Sequence, residues 1–170
     1  MHGLAWQAPS QCKQTAWEPV CAQLLREWIE AGQPAWLPLS GGSMTPFLPS
    51  GSKVLVSQTA PRRIFCGDLV VYEVEGRMIC HRVLGRRTQG FSHAFLMKGD
   101  GWRMTDPWVC AEQVIGKVIA INRNGSVVRL DTPLRRLQAV AAAALSFVVA
   151  GTLMVMRQGK QLLSVRLKRL

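Results

Sequence analysis

The sequence predicts a mainly β domain, a coiled antiparallel sheet or partial barrel, with a short amphipathic helix before it and an apolar helix after it. Three observations lead to that fold class. Seven short runs rich in apolar and β-branched residues lie between residues 35 and 130, each bounded by Gly, Pro, Asn or Asp, as sheet strands are. Glu75-Gly76 and Asn124-Gly125 have the chemistry of tight hairpin turns. Helical signals are confined to the two ends of the chain.

Residues 18–31 (EPVCAQLLREWIEA) place Val20, Leu24, Leu25, Trp28 and Ile29 at helical spacing, and Gly32 followed by Pro34 ends the helix. Strand-like runs follow at residues 35–39, 53–57, 68–74, 78–84, 91–97, 113–121 and 127–130. Thr132-Pro133 closes the sheet region, because a proline disfavours helix in the residue before it. The expected division is a leader and amphipathic helix (1–33), a β domain (34–132), and a C-terminal helix with a basic tail (133–170). No internal repeat or low-complexity linker interrupts it.

A chain of 170 residues holds one domain with a real core and little besides. Residues 137–156 (LQAVAAAALSFVVAGTLMVM) carry no charge, and at helical rise they span roughly 30 Å, the thickness of a bilayer's hydrocarbon core. Arg135 and Arg136 on one side and Arg157 and Lys160 on the other are placed to snorkel. A single-pass membrane helix is therefore expected, with a lipid membrane as partner. If the segment is instead a buried Ala-rich core helix, the protein is cytoplasmic. Orientation stays open, since Lys and Arg are nearly as dense before the segment as after it. Residues 1–19 lack the apolar stretch of a secretory signal.

The formal net charge of +11 is spread over scattered pairs, Arg62-Arg63, Arg86-Arg87 and Arg135-Arg136, and a tail containing Arg166, Lys168 and Arg169. No nucleic-acid motif accompanies them, so no nucleic-acid partner is expected. A basic surface facing water or lipid headgroups is. The five cysteines, Cys12, Cys21, Cys66, Cys80 and Cys110, are odd in number and form no CxxC pair. That pattern argues against a metal ribbon or a complete disulfide framework, and for a reducing compartment. No metal or cofactor is expected.

The chemistry centres on Ser40-Gly41-Gly42-Ser43-Met44-Thr45-Pro46. Glycines before Ser43 free the backbone and leave room for a substrate strand, and Pro46 fixes the direction of exit. A serine nucleophile needs a base, and the chain offers His2, His81 and His93. His2 falls in the leader, and His93 lies near Gly90 at the start of a strand. His81 sits within an apolar strand, facing opposite to Cys80 and Arg82. Downstream, Lys98-Gly99-Asp100-Gly101-Trp102-Arg103-Met104-Thr105-Asp106 carries two carboxylates in a glycine-containing loop, able to orient an imidazole or brace the loop.

Taken in order, Ser43-Met44-Thr45-Pro46, then Gly67-Asp68-Leu69-Val70-Val71-Tyr72, then His81-Arg82-Val83, then Phe95-Leu96-Met97-Lys98-Gly99-Asp100 with Asp106, then Val114-Ile115-Gly116-Lys117-Val118 resemble the successive boxes of type I signal peptidases. The resemblance covers residues 38–121, close to half the chain. It is nearer the branch of the endoplasmic reticulum and archaea, in which histidine replaces the lysine base. It implies that Ser43 attacks the scissile carbonyl, that His81 takes its proton and returns it to the leaving amine, and that Asp106 orients the imidazole. Asp100 would support the loop and share that orienting role. The implied activity is a serine endopeptidase that removes a leader or signal segment, bound as an extended strand.

Three departures stand out. Gly41 occupies the place of a serine whose hydroxyl often helps form the family's oxyanion hole, and Ser40 is displaced by one residue. Gly101-Trp102-Arg103 replaces an Asn-rich run. The family's N-terminal anchor has its counterpart in the C-terminal apolar segment, as in a specialised relative serving a modified-peptide pathway. Two alternatives compete with this expectation. One is a relative of the self-cleaving repressor proteases, which use lysine as base, with Lys98 the nearest lysine. The other is a non-catalytic membrane-anchored β domain.

Overall fold

The computed structural model describes residues 6–7, 18–90 and 92–130. Within them lie the helix α1 (Glu18–Glu30) and nine strands: β1 (Trp6–Gln7), β2 (Ala35–Pro38), β3 (Lys53–Ser57), β4 (Leu69–Val74), β5 (Arg77–Gln89), β6 (Ser92–Lys98), β7 (Val109–Cys110), β8 (Val114–Arg123) and β9 (Ser126–Arg129). The strands form a single sheet in the order β1-β2-β3-β8-β4-β5-β6-β7, and β9 pairs with the far half of β8. All pairings are antiparallel except that of β1 with β2. The sheet is open rather than closed into a barrel.

The two expected hairpin turns form. Glu75 and Gly76 have φ of 51° and 75°, and Asn124 and Gly125 have 50° and 86°, the doubly left-handed geometry that matches strand twist. The first turn fixes the β4–β5 register, setting Val74 opposite Arg77, Tyr72 opposite Ile79 and Val70 opposite His81. Strand β5 runs well past Leu84, the limit of its apolar run. A register shift at Gly85 lets Arg86, Arg87 and Thr88 go on pairing with Phe95, Ala94 and His93, although their side chains are exposed and leave no apolar signature. Strands β1 and β7, of two residues each, are too short to produce a pattern.

The central β4–β5 hairpin is covered on both faces, which is why β4 reads as an almost unbroken apolar run. Leu69, Val71 and Cys80 face one core with Leu25, Ile29, Leu37, Val54 and Val56. Val70, Tyr72 and Val83 face a second core with Ile64, Phe95 and Met97. Helix α1 seals the first core through Ala22, Leu25 and Ile29. The apolar face expected from sequence is thus split, because the Val20, Leu24 and Trp28 row lies a step around the helix and is exposed. Arg26 pins the helix to the sheet by donating to the carbonyls of Glu112 and Val114. The expected C-terminal helix at residues 137–156 lies outside the described residues. Among the described residues no helix is long and apolar enough to cross a membrane.

At Gly116 in β8, a Cβ would stand 2.7 Å from the Ser57 carbonyl oxygen and 2.8 Å from Val56 Cγ1. Gly116→Ala is expected to destabilise the fold by about 1–3 kcal/mol. The check is urea denaturation, where the midpoint falls at an unchanged m-value.

Candidate active site

Ser43 lies in the connection between β2 and β3. Gly41 (φ 116°) turns the chain, Thr45 N–H donates to the Gly42 carbonyl at 3.1 Å, and Leu48 N–H donates to Met44 at 2.8 Å. Met44 and Leu48 are buried in the first core, so the loop is anchored on both sides of a half-buried serine. The Thr45–Pro46 peptide is cis. Among the described residues, no hydrogen bond engages the Ser43 backbone N–H or its hydroxyl.

His81 projects from β5 on the face of the second core and is 1% exposed. Its Nδ1 lies 2.5 Å from Asp106 Oδ2. Asp106 belongs to the loop after β6, where its N–H donates to the Met97 carbonyl at 2.9 Å. With Nδ1–H donated to the carboxylate, Nε2 holds the free lone pair. Nε2 faces the serine loop across Gly99, where an added Cβ would stand 3.0 Å from Nε2 and 2.6 Å from the Ser43 carbonyl oxygen. Gly101 is equally close, 2.6 Å by the same measure from the Thr45 carbonyl oxygen, and its N–H donates to the Ser43 carbonyl at 2.8 Å. The two glycines of this loop are thus required because its backbone lies directly against that of the Ser43 loop. No hydrogen bond joins Ser43 to His81 in the resting site, and resting sites of this kind can be loose before a ligand binds.

Asp100 does not reach His81. Both of its carboxylate oxygens accept from Arg82, Oδ1 from Nε at 2.8 Å and Oδ2 from Nη2 at 2.7 Å. Arg82 also donates from Nη1 to the Gly67 carbonyl at 2.9 Å, and its guanidinium lies 4.7 Å from the centre of the Phe47 ring. A side chain 1% exposed therefore ties three loops together. Of the loop's two carboxylates, Asp106 serves the imidazole and Asp100 braces the loop. His93 pairs with Thr88 at an exposed position, and His2 lies outside the described residues.

Three neighbours of the site, Arg82, Trp102 and Tyr72, lie within the sequence motifs but gain their roles only in the fold. Trp102 meets the His81 ring edge-on at 5.4 Å between centroids. The Tyr72 hydroxyl donates to Asp106 Oδ2 at 2.8 Å and lies 3.2 Å from His81 Nδ1. Its position was derivable, since the two-residue turn at Glu75-Gly76 places Tyr72 diagonally across from His81. Burial, reinforced by Asp106, pushes the Tyr72 phenol far above its usual value. Burial pushes the Cys80 thiol up to about 12.

A family model described as Peptidase S24-like matches residues 10–119, a span that includes Ser43, His81, Asp100 and Asp106. No curated protein matches the chain.

Two outcomes follow from the buried groups. Arg82→Ala leaves Asp100 uncompensated and is expected to cost about 3–5 kcal/mol. Arg82→Lys keeps the charge without the fork and should fall between that variant and the parent in thermal denaturation. Tyr72 and Cys80 both hold their protons more tightly in the folded chain than in the unfolded one. Stability should therefore be full below the ordinary thiol value of 9.0 and fall as pH rises past it and past the phenol value of 10.0. Urea midpoints measured on both sides of that range check this.

Proposed function

The chain belongs to the Peptidase S24-like family, and we propose that it is a serine endopeptidase that cleaves a leader or signal segment from a peptide or protein. The observation that carries this reading is the seating of His81 Nδ1 on Asp106, which leaves Nε2 as a base turned toward the Ser43 loop. The same observation supports placing the chain nearer the Ser/His branch of the signal peptidases than the Ser/Lys one.

Ser43 Oγ attacks the scissile carbonyl while His81 Nε2 takes its proton, and Asp106 stabilises the imidazolium that forms. Collapse of the tetrahedral intermediate breaks the C–N bond, and Nε2 returns the proton to the leaving amine. Water, activated by the same nitrogen, then releases the acyl group from Ser43. The unengaged Ser43 N–H supplies one oxyanion donor. Gly41 offers no hydroxyl for a second, so the substrate-bound loop must supply it from its backbone. The substrate binds as an extended strand along the sheet. Residues 137–156 hold the protein at a membrane, consistent with a specialised peptidase of a modified-peptide pathway.

One observation favours a second reading, a self-cleaving relative of the repressor proteases. Lys98 is only 4% exposed, and its Nζ donates to the Gly99 carbonyl at 3.2 Å, one residue from the point where Ser43 and His81 converge. In that reading Lys98 is the base.

Incubation with a peptide pool, read by mass spectrometry, separates the two. Ser43→Ala and His81→Ala are each expected to lower turnover by about a thousandfold or more, while Lys98→Met, provided it folds, keeps most activity. Cleavage persisting in both Ser43→Ala and His81→Ala contradicts the proposal. Loss in Lys98→Met with retention in His81→Ala selects the second reading.

A further inference from the structure

The chain contains a single tyrosine, and its hydroxyl is fully buried against the acid–base pair. A phenylalanine would fill the same space in the second core. The hydroxyl adds a buried polar group, costly unless it is hydrogen-bonded, and its partners are the two atoms that join acid to base. We propose that Tyr72 is a positioning residue of the site, holding the Asp106 carboxylate against His81 so that the imidazole keeps the tautomer that presents Nε2 to Ser43.

The need for such a residue follows from how Asp106 is held. Its backbone is fixed through Met97, but its side chain is at the rim, 13% exposed, and a carboxylate's terminal torsion is broad. One bond to His81 leaves that torsion free to turn toward water. Tyr72 supplies a second donor to the same oxygen, from a ring buried in the second core together with Ile64, Val70 and Phe95. The groups facing His81 are Tyr72 from β4 and Asp106 and Trp102 from the loop after β6. Arg82, its neighbour on β5, is neutralised by Asp100 on the other face.

This role presupposes the peptidase reading of Ser43 and His81, but the orientation of the imidazole is measurable without turnover. The chain has three histidines, His2, His81 and His93, so imidazole NMR titration resolves His81, with His93 as an internal control. Tyr72→Phe is expected to lower the His81 midpoint by about half a pH unit or more, because the imidazolium loses an oriented carboxylate. Asp106→Asn lowers it too, and the double variant lowers it no further. With a cleaved peptide in hand, Tyr72→Phe lowers kcat roughly tenfold with KM within about twofold, and costs less than about twofold in the Asp106→Asn background. A His81 midpoint unchanged or raised in Tyr72→Phe overturns the proposal. So does an equal further drop in the double variant, which means that Tyr72 acts other than through Asp106. Coupled midpoints in a chain that cleaves no peptide support the positioning role and refute the peptidase reading.

Discussion

The geometry of the site depends on one buried guanidinium. Arg82 is out of water, bound at both oxygens by Asp100, capped by the Gly67 carbonyl and covered by Phe47. Such a group is expensive to desolvate, and the cost is offset only when every donor direction is used and the partner carboxylate is present. Because strand side chains alternate, the residue before it, His81, projects to the opposite face. One strand therefore delivers the His81 imidazole to one side of the sheet and the Arg82 clamp to the other. The clamp draws in the loop after β6, and that loop carries Gly99 against the serine loop and Asp106 against the imidazole.

Close approach is the second constraint. Gly99 and Gly101 lie so near the carbonyls of Gly42, Ser43 and Thr45 that neither position admits a side chain. The Ser43 loop is positioned less by its own sequence than by the backbone pressed onto it, with Met44 and Leu48 as its anchors in the first core. This divides the labour between the two glycine clusters. Those before Ser43 shape its loop, and those after Lys98 let a neighbour reach it.

Much of this was legible in the sequence, for identifiable reasons. The hairpin turns at Glu75-Gly76 and Asn124-Gly125 are fixed by local backbone chemistry and formed as read. In the fold His81 Nδ1 meets Asp106, and Nε2 lies across Gly99 from the Ser43 loop. What was not legible depended on contacts between distant segments. The sequence offers no local sign of which of two carboxylates six residues apart meets the imidazole, and Arg82 decides it by taking Asp100. Tyr72 was hidden because a tyrosine within an apolar run reads as core, although the register around the first turn already put it beside His81. On α1 the apolar residues span two rows, and only packing against the sheet selects Leu25 and Ile29 over Leu24 and Trp28.

The proposed chemistry rests on Ser43 being a nucleophile made reactive by His81. The most direct measurement is the rate and site of covalent labelling by a serine-directed fluorophosphonate, followed by peptide mapping. A single adduct is expected, on Ser43, and it is abolished in His81→Ala. An adduct on another residue, or labelling of Ser43 at an undiminished rate without His81, contradicts it.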